Sequence, residues 1–334
     1  FPYTTLFRSR INVMRSAYRE ERWVEVNKCK ETGEYQDFLH KDEYGIVHYR
    51  FFKKKAGNIK GVDFYDIASY RGAEGPYIES VVPGKEEILF KSFDNAFEKY
   101  CIKHNIIAEF AKLDPWDDYA ELIRNNYGGE YYGNYYCNNL QLDFYKEEYN
   151  RRSKRSIKKA IEAGIIVSKD FTGETVSNFI ELYKNTEEKF HTSEYYKMTE
   201  EDIKRYFEIY GDDAFLINAS LKEKIITSVL VVMGEDIVHY LLLGSDPQYS
   251  EFQANSLLTY EAALYGKTRG KKLFDMGGGI PGGGIEQFKR NFITDDGIWK
   301  YYAIKKIRNK KIYDIFVKKK TEIKNQNYFP LYRG

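Results

Sequence analysis

The chain has 334 residues, 43% of them hydrophobic and 31% charged, so it is long enough for two domains with buried cores and too apolar for a disordered protein. Its 52 Lys and Arg against 50 Asp and Glu give a net charge of +2, which excludes a uniformly basic nucleic-acid coat protein but not a local basic surface. No run approaches the roughly 18 apolar residues of a transmembrane helix, so none is predicted.

The first nine residues are set apart from the rest of the chain. Their sequence, FPYTTLFRS, reads like the translation of a sequencing-adapter oligonucleotide. It also lacks the charged region followed by an apolar region that marks a signal peptide. We therefore expect residues 1–9 to be non-native and leave them out of the fold argument.

The first half of the chain shows alternating strand and helix patterns. Leu89, Phe93, Phe97 and Tyr100 recur with helical spacing and form one apolar stripe. The elements predicted here, in chain order, are strands at Trp23–Lys28 and Tyr44–Lys53, a helix at Glu86–His104, a strand at Ile106–Lys112 and a strand at Leu140–Phe144.

The second half repeats this alternation from a basic helix onward. The elements predicted here are a helix at Lys146–Ala163 capped by Gly164, a strand at Ile165–Lys169, helices at Val176–Lys189 and Glu200–Ile209, strands at Ala214–Ala219, Ile225–Met233 and Ile237–Leu243, a helix at Asn255–Arg269, strands at Leu273–Met276 and Trp299–Ile304, and a basic helix ending near Lys320. Two such cycles predict an α/β protein of two domains, residues 10–144 and 145–334.

A glycine-rich loop, residues 277–284, follows the predicted strand that contains Asp275. Its six glycines allow a ligand or phosphate to approach the backbone closely, although a surface hairpin would need the same residues. The loop formally contains GxGxxG, but Pro281 and the short helix after it disfavour a dinucleotide site. Asp275 is the candidate base, or else a hydrogen-bond acceptor for the loop amides.

Lys289 lies five residues beyond this loop, in the segment IEQFKRNF. Phe288 and Phe292 would bury one face of a helix there and leave Lys289 beside it. Its ammonium could meet a phosphate or a developing oxyanion, and the alternative is an ordinary solvated lysine.

The predicted helix at Lys146–Ala163 contains six basic residues within the nine of residues 151–159. Arg152, Arg155 and Lys159 share one of its faces, and ten further Lys and Arg lie between Lys300 and Lys324. These two basic segments suit a polyanion such as RNA, a pyrophosphate-linked sugar or an anionic membrane surface. Two solvated amphipathic helices are the alternative.

The sequence favours neither a metal enzyme nor a covalent hydrolase. Its five histidines show no HxH or HxxxH spacing, and no GxSxG motif occurs. Cys29, Cys101 and Cys137 form no CxxC pair and cannot all be joined in disulfides, which favours a reducing compartment. We expect no metal and no tightly bound cofactor.

Several of these segments, in this order, resemble the Fem-type group of the GNAT acyltransferase superfamily, which forms peptidoglycan bridges and has a BioF2-like acetyltransferase domain. The resemblance spans about residues 15–334. The segments that carry it are Tyr65–Ile78, Ser153–Gly164, Ser193–Tyr196, Gly244–Ser245, Asn255–Ala262, Gly277–Phe292 and Tyr328–Arg333.

This resemblance implies two GNAT-like domains with mixed sheets flanked by helices. Fem-type enzymes transfer an amino acid from aminoacyl-tRNA to an amine of a peptidoglycan precursor, and related proteins act in surface-polysaccharide pathways. The resemblance therefore implies a cytoplasmic aminoacyltransferase in cell-wall biogenesis, with the inner membrane face as a further contact. The stretch Gly244–Leu258 has no glycine after Gly244, which disfavours the phosphate loop of acetyl-CoA enzymes.

Residue by residue, the resemblance assigns Lys289 to the acyl-transfer oxyanion or the RNA terminus. Tyr240 matches one of two aromatic residues that line the precursor site, and Leu242 replaces the other. Lys189 stands where an arginine is common and cannot make the bidentate phosphate contact. The full set of substrate-groove candidates is Tyr70, Arg71, Lys189, Tyr196, Tyr240, Tyr249 and Asn255.

Three functions follow from this reading. The first is transfer of an aminoacyl group from aminoacyl-tRNA to an amine of a cell-wall or surface-polysaccharide precursor. The second keeps the fold but takes acetyl-CoA as co-substrate and acetylates an amino sugar. The third is a non-catalytic module that holds RNA or glycan through its basic helices.

Overall fold

The computed structural model describes residues 14–30, 32–69, 75–190, 197–279 and 281–334, and the chain forms two compact units. In its described part, the first unit comprises residues 14–26 and 133–299, and the second comprises residues 27–132 and 300–334. These units differ from the two consecutive domains predicted with a boundary near Tyr145. The C-terminal residues belong to the second unit because Tyr313, Phe316 and Tyr332 pack in one cluster with Ile107 and Ala108 of that unit.

The second unit is built on a mixed sheet. Its strands are β1 (Glu34–Asp42), β2 (Gly45–Ile59), β3 (Val62–Ala68), β4 (Tyr77–Val81), β5 (Ile106–Lys112) and β12 (Ile298–Ile307), in the order β1-β2-β3-β5-β12, with β4 also paired to β2. Its helices are α2 (Glu86–Lys103), α3 (Ala120–Tyr127) and α10 (Lys310–Lys319). The apolar stripe of α2 is buried, and Leu89, Phe93 and Phe97 join the core of this unit as its spacing predicts.

The first unit also contains strands that pair in a mixed sheet. Its strands are β6 (Gly129–Asn139, from Gly133 onward), β7 (Ile166–Asp170), β8 (Ala214–Leu221), β9 (Lys224–Met233), β10 (Ile237–Ser245) and β11 (Leu273–Gly279), in the order β6-β11-β10-β9-β8-β7. Its helices are α1 (Glu21–Asn27), α4 (Phe144–Glu147), α5 (Arg151–Glu162), α6 (Val176–Phe190), α7 (Glu200–Tyr210), α8 (Ala254–Thr268) and α9 (Gly284–Lys289).

The central strands of this sheet are buried along almost their whole length. Residues 226–233 of β9 are all buried, and residues 214–219 of β8 are as well. Such near-continuous apolar runs are typical of strands that are covered on both faces. The predicted α/β class, with GNAT-like mixed sheets flanked by helices, is confirmed.

Two predicted strands are wrong. Trp23–Lys28 belongs largely to helix α1, whose Trp23, Val24 and Val26 are buried. An apolar run this short does not distinguish a strand from a helix by periodicity. No strand forms at Leu140–Phe144, because β6 ends before it at Asn139 and Asp143 caps the short helix α4 by accepting a hydrogen bond from the Lys146 amide.

No helix in the described part of the chain is long and apolar enough to cross a bilayer.

Gly244, near the end of β10, marks a close approach between that strand and helix α6. A Cβ added at Gly244 would lie 2.6 Å from the Tyr183 nitrogen and 2.7 Å from the Leu182 carbonyl carbon, both backbone atoms. We therefore expect Gly244→Ala to lower the free energy of unfolding by about 1–3 kcal/mol, measured by urea denaturation. Gly284→Ala is the matched control, because a Cβ there meets no atom within 4 Å. Equal losses in both variants would contradict this reading.

Candidate functional site

The predicted glycine loop, residues 277–284, overlaps the end of the strand next to β10, because β11 extends to Gly279 and not only to Met276. Strands β10 and β11 are parallel neighbours, and their pairing runs from Ile237 opposite Leu273 to His239 opposite Asp275. Beyond this point, β10 keeps pairing with β9, and the register of β11 against β6 shifts between Asp275 and Gly278. The carboxyl ends of neighbouring parallel strands are where α/β sheets bind ligands. The candidate site is therefore the loop that begins at Gly277.

Asp275, the predicted base, is enclosed by hydrogen bonds. Its side chain is 1% exposed, its Oδ2 lies 3.0 Å from Nδ1 of His239, and its Oδ1 accepts a hydrogen bond of 2.7 Å from the Gly277 amide. The second bond matches the alternative reading, in which Asp275 holds the glycine-loop amides. Its role as a base stays a prediction.

Lys289, the predicted electrostatic residue, lies against the same loop. The half-buried side chain donates a hydrogen bond of 2.6 Å from Nζ to the Gly278 carbonyl, and Nζ lies 6.0 Å from the centre of the Tyr136 ring. Burial lowers the pKa of Lys289 to about 8, although the Asp275 carboxylate and Cys137 oppose this effect. The structure therefore brings Asp275 and Lys289 together at the loop, as the sequence predicts.

This lowered pKa gives a pH prediction. If the rate of acyl transfer depends on the charged ammonium, the rate falls as pH rises through about 8, because Lys289 loses its proton there. In Lys289→Arg we expect that fall to disappear below pH 10, because a guanidinium stays charged. Rates measured between pH 6 and 10 under saturating substrate test this. The same fall near pH 8 in both proteins would contradict it.

Glu286, which follows the glycine loop in the sequence, holds the far end of that loop. Glu286 is buried, accepts a hydrogen bond from the Gly282 amide, and pairs with Arg290 at 2.8 Å. The Arg290 side chain and the Gly282 amide lower the pKa of Glu286. The loop is thus fixed at both ends by carboxylates, Asp275 at its start and Glu286 at its close.

A pocket of about 140 Å³ adjoins helix α9. Three short segments line it, and their residues are Arg152, Ser153, Ser156, Gln253, Ser256, Gly284, Gln287, Phe288, Asn291 and Phe292. Helix α8 begins at this pocket after Gln253, and no side chain of the described residues caps its first amides. A helix N-terminus with hydroxyl and guanidinium groups beside it suits an anion such as phosphate.

The predicted polyanion-binding residues Arg152, Arg155 and Lys159 are all exposed on α5. Within the described residues, the ion pair on this helix joins Lys158 to Glu162 at 3.5 Å, and no carboxylate pairs with those three side chains. Unpaired cations are available to bind an external anion. Arg152 also lines the pocket, so the basic face of α5 leads directly into it.

Two of the predicted groove residues are joined in the structure. Tyr240 donates a hydrogen bond of 2.8 Å from its hydroxyl to Oδ1 of Asn255, and burial raises the pKa of Tyr240. Tyr249 is half-buried beneath the Lys224 ammonium, 4.7 Å from its ring centre, and Lys189 is exposed in the last turn of α6. Tyr70, Arg71 and Tyr196 lie outside the described residues.

Sequence reasoning missed two parts of this site. The first is His239, which no motif marks, and the second is the pocket lined by Gln253, Ser256 and Gln287. Serine and glutamine are common surface residues and give no pattern, whereas the start of α8 beside a basic helix could have indicated an anion pocket. Among the described residues, no group of three or more His, Cys, Asp or Glu could hold a metal ion.

Comparisons with known proteins identify the type of fold. Residues 148–290 match the family model of an acetyltransferase (GNAT) domain. The structure is similar to that of FemX, with a TM-score of 0.65 and 13% identity over 94% of this chain and 97% of that one. The predicted resemblance to Fem-type GNAT proteins is confirmed. A search of curated proteins gave no significant match.

Two further solved structures share the fold. One is the C-terminal domain of a putative lysylphosphatidylglycerol synthetase from Agrobacterium fabrum, with a TM-score of 0.54 and 10% identity over 92% of each chain. The other is L-PGS from Bacillus licheniformis, with a TM-score of 0.51 and 11% identity over 91% of this chain and 96% of that one. Residues 148–290 thus match a GNAT domain model, and the fold is shared with these structures.

Proposed function

We propose that this protein transfers an aminoacyl group from aminoacyl-tRNA to an amine of a peptidoglycan or surface-polysaccharide precursor. The observation that carries the proposal is the placement of Lys289, whose ammonium lies against the glycine loop at the end of β11. A fixed cation in a partly buried site stabilises the negative charge that develops on a carbonyl oxygen during acyl transfer.

The reaction needs no covalent enzyme intermediate. The amine nitrogen attacks the ester carbonyl carbon, so a C–N bond forms and the carbonyl oxygen becomes negatively charged beside Lys289. The ester C–O bond then breaks, and the ribose oxygen of the leaving RNA takes the proton that the amine loses. The base is either the donor itself or Asp275, the candidate from the sequence.

An RNA donor is supported by the basic face of α5. Arg152, Arg155 and Lys159 are exposed without carboxylate partners in the described part of the chain, and Arg152 reaches the pocket at the start of α8. A phosphate of the acceptor end would fit that pocket, with the RNA strand along the helix. An RNA donor also implies that the protein acts in the cytoplasm.

The acceptor is proposed from the Fem-type resemblance. Tyr240 and Asn255, joined by a hydrogen bond, are the groove residues that we assign to it, together with Tyr249. The putative lysylphosphatidylglycerol synthetase that shares this fold makes, as its name states, a lipid. A lipid-linked precursor at the inner membrane face is therefore included in the proposed class of acceptor.

A second candidate is acetyl-CoA-dependent acetylation of an amino sugar. The description of the matching family model as an acetyltransferase domain favours it. The two candidates differ in the donor. Acetyl-CoA enzymes bind their donor with a glycine-containing phosphate loop, so the corresponding stretch of this chain distinguishes the two. That stretch, Gly244–Leu258, has no glycine after Gly244, which favours the RNA donor.

Binding measurements separate these functions. The protein, lacking residues 1–9, is titrated with aminoacyl-tRNA and separately with acetyl-CoA at several salt concentrations. The proposal predicts tRNA binding that weakens steeply with salt and no response to acetyl-CoA. Binding of acetyl-CoA alone would indicate sugar acetylation instead. RNA binding without turnover of any acceptor would indicate the non-catalytic module.

A further inference from the structure

A buried hydrogen-bond chain connects the N-terminal segment of the first unit to the glycine loop. His239 on β10 and Asp275 on β11 are register partners, and their side chains are 0% and 1% exposed. On its other side, His239 Nε2 lies 3.2 Å from Ser16 Oγ and accepts a hydrogen bond of 3.3 Å from the Ala17 amide. The imidazole therefore connects Asp275 on β11 with Ser16 and Ala17 of the N-terminal segment. These two residues lie more than 220 positions before His239 in the sequence.

The partners of His239 indicate its tautomer. A backbone N–H can only donate, so Nε2, which accepts from the Ala17 amide, carries no hydrogen. The ring hydrogen is then on Nδ1, which donates to Asp275 Oδ2 at 3.0 Å. Tyr18 stacks on the imidazole with ring centres 4.4 Å apart, which holds the ring plane. His239 thus donates to Asp275 through Nδ1 in one orientation.

The chain of contacts continues from Asp275 to Lys289. Asp275 Oδ1 accepts from the Gly277 amide at 2.7 Å, and Gly277 has φ of 77°, a conformation that glycine adopts readily. The carbonyl oxygen of the next residue, Gly278, accepts a hydrogen bond of 2.6 Å from Nζ of Lys289. The position of that carbonyl therefore depends on Asp275, and the orientation of Asp275 depends on His239.

We propose that His239 is a positioning residue for acyl transfer, which holds Asp275 so that the glycine loop keeps Lys289 in place. The Ser16–Ala17 segment supports the site by fixing the imidazole from its other side. This inference rests on the proposed function only for the role of Lys289 in transfer. The placement of Lys289 itself is a property of the protein without substrate.

A Ser–His–Asp arrangement can also be a nucleophilic triad, but this one lacks the required access. Ser16 is 1% exposed, and its Oγ accepts a hydrogen bond of 3.1 Å from the Tyr18 amide. A nucleophile must meet the acyl carbon, and a hydroxyl enclosed in this way cannot. The observations favour positioning, and an acyl group found on Ser16 would overturn it.

The variants His239→Leu and His239→Asn test the proposal. Leucine removes the donor to Asp275, whereas an asparagine amide can place an N–H near the position of Nδ1. We expect His239→Leu to lower kcat on the order of 10-fold with KM for the donor changed less than about threefold, because a misplaced catalytic group costs rate more than binding. His239→Asn is expected to recover most of the loss.

A second readout needs no substrate. Titration of the Lys289 side chain by NMR, assigned with Lys289→Arg, reports the groups that face its ammonium, which are Asp275 on β11, Cys137 on β6 and the ring of Tyr136. In His239→Leu, Asp275 loses the donor that fixes its orientation, so its carboxylate can turn away from the ammonium, and the pKa of Lys289 is expected to fall below about 8. His239→Asn is expected to titrate like the wild type.

The controls separate the two proposals. Val229→Ala removes buried apolar atoms on β9 away from the hydrogen-bond chain, so it shows what loss of stability alone does and should leave kcat within twofold. An altered Lys289 titration in His239→Leu, with no transfer by the wild type, supports positioning and contradicts the proposed function. Transfer by the wild type, with kcat and the Lys289 titration both unchanged in His239→Leu, overturns the inference.

Discussion

Replacing Lys289 by alanine is expected to lower kcat for acyl transfer by roughly 100- to 1,000-fold, the usual effect of removing one group that stabilises an oxyanion. The reason is the position of its ammonium, which lies 2.6 Å from the Gly278 carbonyl at the end of β11. KM for both substrates should change much less, because the charge that Lys289 stabilises develops only during the reaction. Steady-state rates with saturating donor and acceptor measure the effect.

Lys204→Ala is the matched control for this variant. Lys204 is a lysine of helix α7 in the same unit, paired with Glu200 at 3.3 Å and more than half exposed. We expect it to leave kcat within twofold. If Lys289→Ala transfers acyl groups at the wild-type rate, Lys289 has no part in the reaction, and the assigned site is wrong.

The second large effect is expected on the basic face of α5. Replacing Arg152, Arg155 and Lys159 by alanine removes three cations that are exposed and lack carboxylate partners within the described residues. Loss of three phosphate contacts is expected to weaken tRNA binding roughly 50-fold at 0.15 M salt and to reduce the slope of log K against log salt by about 2. Binding isotherms at four or five salt concentrations measure both quantities.

The matched control for this triple variant lies on the other basic helix. Lys311 and Lys318 of α10 and Lys320 just beyond it are also exposed, and their replacement by alanine changes the net charge equally. We expect a much smaller change of slope there. Equal losses in the two triple variants would show that RNA responds only to total charge, which contradicts a binding face on α5.

Local patterns in the sequence predict much of this fold. Strand β5 lies at Ile106–Lys112 as predicted, and β8 to β10 and α8 agree within a few residues, because long apolar runs and clear turn residues bound them. Strand β6 was missed, and so were β1, β3 and β4 of the second unit. The latter three lie toward the edge of their sheet, where β1 alternates between exposed and half-buried positions and gives a weak apolar pattern.

The candidate site was predicted only where a local motif marks it. Asp275 and Lys289 flank a glycine loop within fifteen residues, so the sequence shows their relation. His239 and Ser16 are separated by 223 positions, and only strand pairing and the docking of the N-terminal segment bring them together. The compact units could not be read from composition either, because residues 300–334 pack with residues 27–132 through apolar contacts that no linker sequence indicates.

The central claim is aminoacyl transfer at Lys289, and one measurement tests it most directly. Wild type and Lys289→Ala, both lacking residues 1–9, are incubated with tRNA that carries a radiolabelled amino acid and with amine-bearing wall and polysaccharide precursors, and the labelled product is quantified. Parallel reactions contain labelled acetyl-CoA. The account predicts label on a precursor amine from aminoacyl-tRNA in the wild type, and at least 100-fold less in Lys289→Ala. Product formed only from acetyl-CoA, or formed equally by both proteins, would contradict it.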